Sequence, residues 1–140
     1  MQPFSWALIA AVVWGIAPIL EKIGLRQTEP IVGLFYRCIG VMIGMFILGT
    51  VMLKPSQILS VHWKSALWLI AGGFLASFIG QIAFYHGLKT GQISRVVPVS
   101  ASYPLLAFVL GILILGESIN LARLAGVILV IIGIWIIKLN

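Results

Sequence analysis

Apolar residues in this chain fall into long unbroken runs instead of alternating with polar ones. Five runs approach the roughly 20 residues that a helix needs to cross a bilayer's hydrocarbon core. Residues 3–23 form the first; no charge precedes Glu21, and Pro3 suits a helix start. Residues 31–53 form the second, behind Pro30, with Arg37 about two turns in. The third, residues 65–88, lacks Lys, Arg, Asp and Glu but contains Gln81 and His86. Residues 95–115 and 119–139 flank the turn Gly116-Glu117-Ser118, where Ser118 or Asn120 is placed to cap the last helix. The stretch 54–64, with Pro55, Ser56 and Ser60, reads as a short interfacial loop or helix. Gly87 and Gly91, with Lys89 between them, mark a turn after the third run.

Backbone polar groups in hydrocarbon must bond within a helix or close into a barrel, and these runs lack the alternation of barrel strands. The expected fold class is therefore all-α: a polytopic membrane protein with five transmembrane helices, forming a single domain over residues 1–140. An odd number of spans places the two termini on opposite faces of the bilayer.

Composition agrees with this pattern. Hydrophobic residues make up 61% of the 140 residues and charged ones 9%, against about a quarter charged in a soluble domain. The formal charge of +6 comes from basic residues scattered at span ends. Without a basic stripe or aromatic platform, they fit anchoring to anionic lipid headgroups and not to nucleic acid. Lys22, Arg26, Arg37, Lys89, Arg95 and Lys138 fall on the side reached after the first span; Lys54, Lys64 and Arg123 fall on the other. Under the positive-inside rule this balance favours an outside N-terminus by a narrow margin, and it is compatible with insertion in both orientations. The start MQPFSWALIA lacks the basic region of a secretory signal, so the first run is expected to stay as a span.

Chemistry is sparse. Aspartate is absent, the three glutamates fall at separate positions and form no paired catalytic set, and no P-loop, dinucleotide loop, nucleophile elbow or H-E-x-x-H occurs. The chain does not read as an enzyme. One cysteine, Cys38, gives no internal disulfide, and a metal site is poorly supported; no cofactor is expected. Glu21 and Arg37 lie at similar depth on neighbouring antiparallel spans. Arg37 either snorkels with Glu21 as a local ion pair or binds an anionic solute or a lipid phosphate. Gln81 and Tyr85, four apart, share a helix face. His86 points about 100° away and is either an interfacial group or, with Glu21, a proton-coupling one. Pro98 and Pro104, with Ser100, Ser102 and Tyr103, interrupt the fourth span, either by simple kinking or to line a cavity. Trp14, mid-span beside Gly15 and followed by Pro18, is either a packing residue or the wall of a solute pocket. The candidate substrate-binding residues are accordingly Trp14, Arg37, Gln81, Tyr85, Ser100 and Tyr103. Pro18, Pro98 and Pro104 are the expected helix breaks.

Taken together in order, these residues resemble the EamA family of the drug/metabolite transporter superfamily. The match runs through Trp14-Gly15, Pro18 and Lys22, then Arg37, then Gly91 to Pro98 with Ser94-Arg95-Val96. It continues through Pro104-Leu105 and Leu115-Gly116-Glu117 to Gly126 and Gly133. The resemblance implies one EamA-like repeat of five spans and a secondary transporter, exporter or exchanger, of small organic metabolites or drug-like solutes in the cell membrane. Larger members carry two such units in inverted orientation. One unit alone leads to the expectation of a homodimer of opposed protomers with a cavity lined by spans one to four. An alternative is an accessory subunit of a heteromeric lipid-linked sugar flippase, and a further one is a fold remnant without transport activity.

Overall fold

Prolines open several of the helices. Pro3, Pro30 and Pro55 each sit in a first turn, where the missing N–H is one that no helical carbonyl would have accepted. In a computed structural model, which describes residues 2–139, these turns begin α1 (Pro3–Gly24), α2 (Pro30–Val51) and α3 (Pro55–Leu59). The polar stretch between the second and third runs thus contains a short helix. His62 then caps α4 (Trp63–Phe74), its Nδ1 accepting from the Lys64 N–H at 3.3 Å.

The third apolar run does not continue as one regular helix. α4 leads into a wide π turn (Leu75–Ile79) and then α5 (Gly80–Thr90). In the π turn the Gly80 N–H donates to the Leu75 carbonyl, five residues back. A Cβ at residue 80 would lie 3.3 Å from that carbonyl oxygen, and glycine leaves the space open.

Two compact units divide at Thr90/Gly91. In the first, α5 packs against α2 and α1. Its buried side chains are few and belong to neighbouring turns: Pro18 and Leu25 from α1 and its end, Pro30 and Leu34 from α2, Tyr85 and Leu88 from α5. α4 and the π turn contribute none. Lipid tails are as apolar as leucine, so packing and polar bonds, not water exclusion, hold such helices together.

The second unit holds α6 (Ile93–Ser100), α7 (Tyr103–Leu115) and α8 (Leu121–Leu139), with α8 packed against both others. The fourth run is therefore two helices. At the break the Ser102 backbone N–H and Oγ both donate to the Val99 carbonyl, at 3.1 and 2.7 Å. Pro98 lies inside α6, whereas Pro104 sits in the first turn of α7 and starts a helix instead of bending one. Gly116, at φ 68°, ends α7 in the left-handed region that glycine tolerates best. Asn120 Oδ1 accepts from the Ala122 N–H at 2.8 Å, capping α8.

Four helical segments are long and apolar enough to cross a membrane: Pro3–Gly24, Pro30–Val51, Trp63–Thr90 and Ile93–Leu115. α8 is apolar but shorter, so by length and composition the expected five spans become four segments and one shorter helix among the described residues.

Candidate solute-binding site

α1 ends and α2 begins on either side of a short loop, which brings the last turn of α1 to the level of the second and third turns of α2. Glu21 and Arg37 meet there. Arg37 Nε donates to Glu21 Oε1 at 3.2 Å, and the two side chains keep 27% and 17% of their exposure. This pair is half-enclosed, between the exposed ion pairs that contribute little and the buried ones whose breakage is costly. That bond uses only Nε, and the outer guanidinium nitrogens carry further N–H donors suited to an anion.

α5 supplies the third member. Tyr85 is 2% exposed and lies beside the Glu21 carboxylate, with Arg37 and Cys38 within electrostatic reach. Its ring rests against α2 at Gly33, where an added Cβ would come 3.5 Å from Tyr85 Cε2 and 2.7 Å from Leu25 Cδ2. Glycine at 33 thus permits the close approach of α2 to both residues. Around the three polar groups lies a pocket of about 280 Å³, with Thr28, Tyr36 and Leu25 completing its wall. Polar groups of both charges converging in a concave, largely apolar wall is the usual form of a small-solute site.

Gln81 lies one helical turn from Tyr85 on the same face of α5, and its Oε1 is buried without a hydrogen-bond partner among the described residues. The remaining sequence candidates lie elsewhere. Trp14 is 64% exposed at the middle of α1 and does not line this pocket. His86 is exposed on α5. Pro18 is buried in α1. Ser100 and Tyr103 belong to the second unit, where both are exposed. Among the described residues, no three His, Cys, Asp or Glu side chains are grouped as metal ligands would be.

From sequence, Lys22 and Lys89 read as boundary charges, Lys22 also as part of the family pattern, and neither is given a contact. Lys22 Nζ donates to the Leu88 carbonyl and, at 3.3 Å, to the Lys89 carbonyl. In return Lys89 Nζ donates to the carbonyls of Leu25, Arg26 and Thr28 at 2.6, 3.4 and 3.2 Å. The adjacent signal in the sequence was position: each lysine falls in the last turn of its helix, where basic side chains reach orphan carbonyls.

A family model described as the EamA-like transporter family matches residues 2–139. The chain belongs to that family. It is a multi-pass membrane protein of a transporter family, and nothing in that membership points to an enzyme. Similar proteins include an uncharacterized protein of Methanocaldococcus jannaschii, 29% identical over 95% of this chain and 93% of the relative. An uncharacterized transporter of Archaeoglobus fulgidus is 25% identical over 98% of this chain, and one of Clostridium kluyveri 29% identical over 91%. This EamA-like chain spans only 48% and 41% of those two longer relatives. No solved structure matches it.

Proposed function

We propose that this EamA-like protein is a secondary transporter, exporter or exchanger, of small organic metabolites or drug-like solutes in the cell membrane. The observation that carries the reading is the convergence of Glu21, Arg37 and Tyr85 on one pocket. A cation-bearing group of the solute would replace Arg37 at Glu21, and an anionic or acceptor group would take the outer guanidinium nitrogens. About 280 Å³ sits at the small end of ligand pockets, which run from roughly 300 Å³ upward, so a compact solute is favoured. Gln81, one turn away, is an acceptor available to a solute N–H or O–H. Trp14, Ser100 and Tyr103 would join the solute's path only in an assembled transporter. Glu21 is the foremost proton-linked group, with His86 a second.

The working unit in this reading is an antiparallel homodimer. Two longer relatives, of which this chain spans less than half, support it, as does the narrow balance of flanking basic charge. α8 would act as the fifth span: its 19 residues reach about 28 Å at 1.5 Å per residue. Inverted repeats around a shared midplane site are a recurrent plan of secondary transporters.

Two experiments test the reading. Purified protein in liposomes, screened against labelled amines, amino acids and organic acids, should move at least one class, and Glu21→Gln should abolish that movement. Reporter fusions to the C-terminus should report both faces of the membrane; a single face would overturn the opposed dimer.

A further inference from the structure

Two helices that end side by side each leave carbonyls unpaired, and each presents the negative end of its dipole. Placing α1 and α5 together at their C-terminal ends is therefore unfavourable unless cations intervene. Lys22 and Lys89 intervene in a crossed fashion: the lysine of α1 caps α5, and the lysine of α5 caps the end of α1 and the loop beyond it. Neither lysine closes its own helix in these bonds, so the bonds form only while the two ends stay together.

Leu25 lies where this crossing meets the pocket. It is 2% exposed, its carbonyl takes the shortest Lys89 bond at 2.6 Å, and its Cδ2 covers Gly33. Leu25 lines the pocket of Glu21 and Arg37, and it also lines a second, smaller hollow of about 90 Å³ formed with Lys22, Arg26 and Lys89. One leucine thus forms a wall common to the two hollows.

We propose that Lys22 and Lys89 are positioning residues of the candidate site, a crossed clamp that holds Leu25 as the seal between the pocket and the membrane face where α1 and α5 end. The inference deepens the transporter reading and rests on the pocket being the solute site. Opening the pocket toward that face requires both sets of lysine bonds to be released together, because they join the same two helix ends. The clamp is an element with two arrangements, closed with carbonyls capped and open with carbonyls and ammonium groups hydrated.

The native thiol of Cys38, next to Arg37 and half-buried, is a reporter that needs no added cysteine. Its labelling by a water-soluble maleimide should quicken about tenfold or more in Lys89→Met and in Lys22→Met, given the usual worth of charge-assisted hydrogen bonds. The double variant should label little faster than either single one, and Lys89→Arg, which keeps donors and charge, should restore the slow rate. Lys64→Met, at an exposed lysine elsewhere, is the control. Unchanged labelling in both single variants, or an equal change in the control, overturns the clamp. Should the variants misfold, the unaltered protein still decides: acetylation read by mass spectrometry should be slower at Lys22 and Lys89 than at Lys54 and Lys64, and equal rates overturn the proposal. Loss of the seal with solute movement insensitive to Glu21→Gln supports the clamp while overturning the pocket as the solute site.

Discussion

Adding one methyl group at Gly33 should harm this protein even though alanine favours helices. A Cβ there would stand 2.7 Å from Leu25 Cδ2, about 1 Å inside the 3.5–4.0 Å at which carbon atoms attract. The Tyr85 ring at 3.5 Å is in ordinary contact and leaves no room on the other side. Leu25 must move, but it is 2% exposed and held through its carbonyl by Lys89. Overpacking of this kind costs about 1–3 kcal/mol, while the gain in helix propensity returns about 1 kcal/mol. Gly33→Ala is thus expected to be destabilising by up to about 2 kcal/mol. Gly49→Ala on the same helix, with nothing within 4 Å of its new Cβ, should be neutral or stabilising by up to about 1 kcal/mol. Unfolding by denaturing detergent, followed by tryptophan fluorescence, measures both. In a Leu25→Val background, which shortens the opposing side chain, the Gly33→Ala cost should shrink by about 1 kcal/mol. Equal stability of the two glycine variants, or an unchanged cost in the Leu25→Val background, would refute the argument from close approach.

Other expectations follow from single contacts. Glu21→Gln and Arg37→Gln should each destabilise, and their double-mutant cycle in the same unfolding assay should show a coupling of about 1–2 kcal/mol, reduced from a fully buried pair by the residual exposure. Gly116→Ala should cost about 1–2 kcal/mol because φ 68° strains any side-chain-bearing residue, and Gly116→Asn should cost less; thermal unfolding ranks them. Pro98→Ala should stabilise α6 by restoring an interior N–H donor, whereas Pro104→Ala, in a first turn that lacks such a bond, should change stability by less than about 1 kcal/mol. The same thermal assay separates the two prolines.

Long apolar runs made the spans readable because period and length survive any packing arrangement. The ion pair of Glu21 and Arg37 was also within reach, since a short loop between antiparallel spans fixes their relative depth. What sequence could not supply was lateral placement. Tyr85 is buried against Glu21, while its neighbour His86 is exposed; both carry polar rings near a span end, and only the face that α5 turns toward α2 tells them apart. The two prolines of the fourth run read alike as breaks, yet one is interior and one begins a helix, a difference set by where the Val99 carbonyl is satisfied. The clamp was hidden for a further reason. Lysines at helix ends in membranes usually reach for water or headgroups, and only the adjacency of α1 and α5 turns them toward each other's carbonyls.

The π turn makes the third segment behave like a message with one letter inserted. A regular helix advances about 100° per residue, so one surplus residue would swing everything after it by that angle. The wide turn at Leu75–Ile79 absorbs the surplus, and Gln81, Tyr85 and Leu88 keep the frame that faces α1 and α2. Deleting any one residue between 75 and 79 would therefore leave the frame intact and merely straighten the helix. Deleting one residue between 81 and 84 would shift the frame and carry Tyr85 off Glu21. A single deletion, disruptive elsewhere in the span, is thus nearly silent within this one segment.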